Sequence, residues 1–356
     1  DQQSAHVLQA AGISVNTYTD RVLFPPGSVL NQKGEMFRVF TAFKKACWQR
    51  LRTTHVASLP EPKPQPPLTI PCQAEQLKAY LAHPPQEFLQ WPAGERYAHT
   101  QLNEFCAQDL AVYHERRDFP AINGTSQLSP YLASGVLSVR QCWNAAAQTN
   151  YGEFDTGNQG VVTWLTELLW REFYLHLLAL NPRLSCGEPF LEHTQAIQWR
   201  NSEADLLAWQ QGRTGFPLID AAMRQLLATG WMHNRLRMVT AMFFSKNLLL
   251  DWRLGERWFM QHLIDGDLAA NNGGWQWCAS TGTDAAPYFR VFNPGTQSER
   301  FDPPGEFTRR WVPELAHLSK AETHWPKHTK GLDYPAPIVD LKASRLRAIE
   351  AFKRLH

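Results

Sequence analysis

Residues 161–180 read VVTWLTELLWREFYLHLLAL. At about 100° per residue, Leu165, Leu168, Leu169 and Leu175 fall on one side of a helix, while Trp164, Glu167, Arg171 and Tyr174 cluster on the other with Trp170 at its edge. The first side is that of a packed helix. The second is aromatic and charged, and a solvated face rarely carries two tryptophans and a tyrosine. Glu167 and Arg171 are therefore read as lining a pocket, with a structural ion pair inside a helix bundle as the alternative.

Downstream the helical period continues. Ile219, Ala222, Met223, Leu226 and Leu227 make an apolar stripe that Gly230 stops, and a second helix is expected to begin at Trp231. In WMHNRLRM, residues 231–238, Asn234, Arg235 and Met238 fall on neighbouring turns. Between Arg213 and Lys246 five basic residues face one acid, Asp220, a balance that suits either a phosphate grip or a solvated basic helix. His233 is read as a structural histidine. The stretch 265–294, DGDLAANNGGWQWCASTGTDAAPYFRVFNP, combines small residues (Gly266, Ala269, Ala270, Gly273, Gly274), which admit a flat ligand close to the backbone, with Asp265, Asp267 and Asn271 at fixed offsets. A calcium loop is excluded there, because its fifth position is Ala269 and its twelfth Gln276. GTSQLS, residues 124–129, presents hydroxyls and amides where a helix can begin, which suits a diphosphate or an ordinary N-cap.

Upstream the pattern is broken. Residues 4–11 suit a helix end closed by Gly12, Ile13 to Tyr18 alternates like a strand, and residues 35–52 suit an amphipathic helix with Phe37, Phe40 and Phe43 against Lys44, Lys45, Arg50 and Arg52. Pro60, Pro62, Pro64, Pro66, Pro67 and Pro71 then forbid helix and predict an extended linker. From about Glu95 helical periodicity dominates. The formal net charge of +2 leaves any nucleic-acid contact to a local patch. Cys47, Cys72, Cys106, Cys142, Cys186 and Cys278 lie at no zinc spacing and read as reduced, mostly buried thiols. No charge-free apolar run is long enough for a membrane span and residues 1–4 lack a signal-peptide pattern, so the expected location is cytoplasmic. Fourteen tryptophans suit stacking, planar cofactors or electron hopping, or else a core built from large residues.

GTSQLS, WLTELLWREFY, TGFPLIDAAMRQLLATGWMHNRLRM and LIDGDLAANNGGWQWCASTGTDAAPYFRVFNP, in this order and spacing, resemble the class I photolyase and cryptochrome family from about Val22 onward, most closely its bacterial members that repair cyclobutane pyrimidine dimers. The resemblance implies a mainly α chain: an all-helical FAD-binding catalytic domain at 95–356, an interdomain helix and Pro-rich linker at 29–94, and at 1–28 the C-terminal remnant of an α/β, Rossmann-like antenna domain. It implies blue-light-driven electron transfer from reduced FAD to a dimer flipped out of DNA, which splits to monomers. The implied FAD contacts are Tyr113, Thr125, Ser126, Leu128, Ser129, Trp164, Asp265, Gly266, Asp267 and Asn271, the last beside the flavin N5. Glu167 is implied to bond the damaged bases, Trp170 and Trp277 to cradle them, and Met238 and Asn234 to complete the pocket. Arg117, Arg171, Arg235, Arg290 and Gln297 are implied on DNA, and Trp275, Trp252 and Trp199 in an electron-transfer chain. No metal is implied, and the expected partner of a monomeric chain is dimer-containing DNA.

The sequence departs from the family pattern at Gln127, where close relatives often carry Arg in GTSRLS, and at Cys186, where some folate-binding members have Lys. The sequence as it stands from Asp1 does not show the family's opening strands, and a folate-type antenna chromophore is therefore expected to find no complete cleft. Three alternatives stand beside dimer repair. A cryptochrome photoreceptor tends to carry Asp or Cys at the position of Asn271, and a (6-4) photolyase resembles WIHHLARH where this chain reads WMHNRLRM. A helical nucleic-acid-binding protein without catalysis would keep no flavin.

Overall fold

The computed structural model describes residues 2–60, 62–67, 78, 91–326 and 331–355. Its organising element is the helix Gln159–Leu180, started by Asn158, whose side-chain oxygen accepts the Val161 N–H at 3.1 Å. Leu165, Leu168 and Leu169 are buried as the pattern predicts, whereas Leu175 is half-buried. Trp164 belongs with the buried set, its ring 5.3 Å from that of Phe105. Two further buried residues of this helix are polar: Glu172 and His176, one turn apart, both on the leucine side.

Two apolar cores flank the helix. One gathers Phe40, Phe43 and Cys47 from the helix Phe40–Leu51, Leu102 and Phe105 from Glu95–Gln108, and Cys142 and Trp143 from Val139–Thr149 against the long helix. The other gathers Ile219, Met223 and Leu226 of Pro217–Thr229 with Trp209, Leu236, Phe244, Trp252, Phe259 and Trp275. The helix Leu268–Ala279 joins them, and two glycines set how closely. A Cβ on Gly273 would meet the Tyr174 ring of the long helix at 2.1 Å, and a Cβ on Gly255 would meet the Trp275 ring at the same distance. Each glycine is thus a packing requirement between neighbouring helices.

Several expectations are corrected. The helix predicted at Trp231 starts at Asn234. Gly230 turns the chain at φ +66°, Thr229 Oγ1 accepts the Trp231 N–H at 3.1 Å, and His233 is the N-cap, so residues 231–233 are spent in the turn. Leu227 is exposed. The helix expected over 35–52 runs from Phe40 to Leu51, because Asn31 Oδ1 accepts the N–H groups of Lys33 and Glu35, both at 2.9 Å, and a Leu30–Met36 bridge closes that turn. Residues Gln2–Ala10 form a helix, but Ile13 to Tyr18 form no strand. The described residues contain isolated bridges only, and alternation without a neighbouring backbone to pair with does not make a ladder. The prolines from Pro60 to Pro67 lie in non-helical chain, while Pro71 and Cys72 fall outside the described residues.

The basic balance of 213–246 dissolves in three dimensions. Arg213 lies 3.8 Å from Asp333, Arg224 2.8 Å from Glu314, Arg235 2.8 Å from Asp118 and Arg237 2.7 Å from Asp265, while Lys246 is buried. Of the five described cysteines, all free, Cys47, Cys142 and Cys278 are buried, Cys106 is half-buried and Cys186 exposed. No described helix is long and apolar enough to cross a membrane.

Candidate active site

Between the cores lies a cavity of ≈ 400 Å³. The long helix gives it Glu167, Trp170, Arg171 and Tyr174, the charged and aromatic face read from the sequence. The helix Asn234–Met242 gives Asn234, Arg235, Arg237 and Met238, and the 265–278 segment gives Asp265, Asp267, Ala270, Asn271, Gly274, Trp275, Trp277 and Cys278. Arg117, just beyond the short helix Tyr113–Arg116, closes one side.

Each charged group on this wall has an identifiable partner. Arg117 Nη1 donates to Glu167 at 2.6 Å; burial alone would lower its guanidinium, but the Glu167 charge and hydrogen bond more than offset this and hold it above its ordinary range. Arg235 donates to Asp118 at 2.8 Å, and Arg237 Nη2 reaches both oxygens of buried Asp265 at 3.0 and 2.7 Å. Asp267 caps Leu268–Ala279 through the Ala270 N–H at 3.0 Å and pairs with Arg21. Arg171 donates to the Arg21 carbonyl at 2.6 Å, and burial lowers its guanidinium. Four lining arginines (Arg117, Arg171, Arg235, Arg237) face three lining carboxylates (Glu167, Asp265, Asp267), which leaves the cavity one positive charge in excess.

The aromatic wall is ordered by stacking. Trp170 lies flat on Phe40 with ring centres 3.6 Å apart and packs against Tyr174 at 5.8 Å. Burial raises the Tyr174 hydroxyl, so that side chain stays neutral. Asn271 is steadied by its Nδ2 donating to the Glu256 carbonyl at 2.9 Å. One turn on from Ala270, a Cβ built on Gly274 would meet nothing within 4 Å. Small residues on that helix face thus leave open room beside Asn271, and the buried Trp275 Nε1 has no hydrogen-bond partner among the described residues. Room for a flat group, amides and carboxylates at its edge and an excess of arginine fit a planar cofactor that carries phosphate.

The other predicted site residues lie outside the cavity lining. Tyr113 is buried below Arg117, whose guanidinium is 5.4 Å from its ring centre. Thr125, Ser126, Leu128 and Ser129 follow Gly124, where a Cβ would strike Arg116 at 2.7 Å; this docks the loop on the Tyr113–Arg116 helix. The Ser126 carbonyl accepts from Gln101 at 2.7 Å, Gln127 adopts φ +51° and a helix begins at Ser129, whose hydroxyl accepts from Trp231 Nε1 at 3.3 Å. Gly266 lies between the two aspartates. Trp252 is fully buried and Trp199 half-buried, its ring 6.4 Å from Phe352. Arg290 is exposed and Gln297 half-buried.

Sequence reading missed Arg237, Asp118 and Arg21, whose signal is pairing between distant segments, and Phe259 and Leu263, which look like any core residue. It also passed over Glu172 and His176, although a carboxylate in the middle of a leucine face is a visible anomaly.

Residues 164–354 match the family model described as FAD binding domain of DNA photolyase, and residues 1–67 match the model described as DNA photolyase. The chain is 48% identical over 351 residues to a deoxyribodipyrimidine photo-lyase of Escherichia coli, covering 94% of this chain and 72% of that protein. Its structure is similar to a bacterial class III photolyase from Agrobacterium tumefaciens (TM-score 0.86, 35% identity, 100% of this chain and 76% of that one). It is also similar to a Synechocystis cryptochrome (TM-score 0.82, 28% identity, 98% and 75%).

Proposed function

The chain belongs to the DNA photolyase family, and we propose on that premise that it is a deoxyribodipyrimidine photolyase whose flavin and dimer sites share the cavity below Glu167. One observation carries the reading: Asp265, Asp267 and Asn271 meet Glu167, Trp170, Met238 and Trp277 around a single volume. Identity of 48% to a dimer-repairing relative, together with Asn234, Met238 and Asn271, favours repair over a signalling role.

FAD is the cofactor. When bound and reduced, it supplies the light-excited electron that splits the cyclobutane ring. We assign Asp265, Asp267, Asn271 and the 125–129 loop to holding it, with Tyr113 and Trp164 packed behind. Small side chains at Ala270 and Gly274 make the room. Trp170 and Trp277 offer flat apolar surfaces to the two linked pyrimidines of a flipped-out dimer, and Met238 a polarisable wall. Glu167 is assigned to hydrogen-bond those bases, and Arg117, now its partner at 2.6 Å, to exchange that carboxylate for a phosphate when DNA arrives. A dimer is poorly stacked, so extruding it costs less than extruding a normal base. Buried Trp275 and Trp252 and half-buried Trp199 suit a route for an electron inward from the surface.

The test is an absorption spectrum of the purified chain followed by illumination with dimer-containing DNA. Bound flavin with light-dependent return of monomeric pyrimidines is expected; flavin without repair would favour the photoreceptor reading, and no flavin would remove both. Trp199→Phe is expected to slow photoreduction of oxidised flavin while sparing repair by chemically reduced enzyme. An unchanged photoreduction rate would reject that route.

A further inference from the structure

Glu172 and His176 take no part in the cavity, yet both are buried, and both carboxylate oxygens of the first and the Nε2 of the second meet one short piece of backbone. The Glu172 carboxylate accepts the N–H of Leu23 at 3.0 Å and of Phe24 at 2.8 Å, and His176 Nε2 lies 3.1 Å from the Phe24 carbonyl. Arg140 donates to the Asp20 carbonyl at 3.0 Å, and Arg171 to that of Arg21. Residues 20–24 thus have no helix or strand of their own; apart from the Val22 N–H, which donates to the Asp20 carbonyl at 2.9 Å, four side chains from the helices Val139–Thr149 and Gln159–Leu180 hold their backbone. Backbone held this way keeps one conformation, because leaving it would strand buried polar groups on both partners. What that conformation delivers is the Arg21 guanidinium, paired with Asp267 on the cavity wall.

We infer that residues 20–24 are a strap closing one side of the FAD site, with Arg21 as a positioning residue that fixes the Asp267 carboxylate for the cofactor. This rests on the placement of FAD given above. Asp267 Oδ1 is held by the Ala270 N–H and Oδ2 by Arg21, so neither oxygen is free to swing. Without Arg21 the second oxygen loses its hydrogen bond, and the carboxylate samples rotamers that do not meet the cofactor. Arg21 is itself half exposed, with 49% of its side chain accessible, so its charge adds little to folding and acts on Asp267.

The test is the rate of FAD release from holoprotein, followed as the rise in free-flavin fluorescence after dilution. Arg21→Gln is expected to release FAD about fivefold faster, Arg21→Lys to recover most of the wild-type rate, and the melting midpoint of the flavin-free chain to stay unchanged. In an Asp267→Asn background the Arg21→Gln change is expected to add nothing, because the two residues act as one unit. Equal release from wild type and Arg21→Gln, or independent effects of the two substitutions, would overturn the inference. A wild-type chain that holds no FAD would overturn the placement of the cofactor first, and the strap with it.

Discussion

Glu167 and Glu172 sit on opposite sides of one helix, and they differ in everything but chemistry. Glu167 has 27% of its side chain exposed, faces open volume and is paired with one long, movable arginine. Glu172 has no exposed surface; its partners are two backbone N–H groups, with His176 3.5 Å away. A carboxylate held by main chain can change partner only if the fold opens, whereas one held by a guanidinium beside a cavity can exchange that partner for a ligand at small cost. The kind of partner, more than the residue type, separates a carboxylate available for function from one committed to structure.

The largest expected effect tests the structural side. Glu172→Ala leaves the Leu23 and Phe24 N–H groups buried without acceptors, at a cost of about 3 kcal/mol, or a melting midpoint lower by about 4 °C for a chain of this size. Repair per molecule of bound flavin should be retained. Repair lost at unchanged stability would break the comparison, since Glu172 would then act in the chemistry. Glu167→Gln comes next. Gln keeps a side-chain oxygen to accept from Arg117, so midpoint and flavin content should stay near wild type. Affinity for dimer-containing DNA should fall about tenfold, the size of one charged hydrogen bond. Flavin lost in step with repair would make Glu167 structural.

The contrast also explains which parts were legible in the sequence. Periodicity found the Gln159–Leu180 helix to within two residues and its aromatic, charged face, because both follow from the local 100° repeat. The 161–180 and 265–294 readings then converged on one cavity. What escaped depends on distant pairing. The 213–246 charge excess looked like a patch until Asp118, Asp265, Glu314 and Asp333 came beside it. Ile13–Tyr18 alternates as strands do, but alternation says nothing about whether a neighbour is present. Asn31 kept residues 33–35 out of the helix expected from residue 35 through turn hydrogen bonds that a hydrophobic pattern does not register.

Arg235 and His233, two residues apart, repeat the contrast at smaller scale. Arg235 is bound side chain to side chain, to Asp118, and overlies the Phe301 ring at 4.5 Å, so it can be released to a phosphate. If it is, log affinity for duplex DNA should fall linearly with log salt, and Arg235→Ala should reduce the slope by about one, at ~0.9 per phosphate contact. An unaltered slope would put Arg235 with the structural groups.

His233 is the backbone-bound member: its Nδ1 accepts the Arg235 N–H at 3.1 Å and caps Asn234–Met242. Burial, with the repulsion of Arg235 and Arg237, lowers the ring to about 4, against a pull from Asp118 in the other direction. The unfolded chain, titrating near 6.5, therefore takes up a proton that the fold refuses. The stability from neutral His233 is complete above pH 6.5 and is lost as pH falls from 6.5 toward 4, by about 2.5 kcal/mol at pH 4.5. Asp220, buried and pushed up to about 6, works against this, because its folded state favours the protonated form as pH falls through the same window. The net curve of the wild type therefore hides both, and the informative quantity is the difference from His233→Asn, which keeps a cap acceptor but does not titrate. Urea midpoints measured between pH 7 and 4.5 should show the variant less stable at pH 7, by the packing it loses, and the gap closing by about 2.5 kcal/mol at the acid end. Parallel curves would mean that the ring accepts its proton inside the fold. The backbone-bound histidine would then be as free to change partner as Arg235 beside it, and the distinction drawn between Glu167 and Glu172 would not extend beyond their own helix.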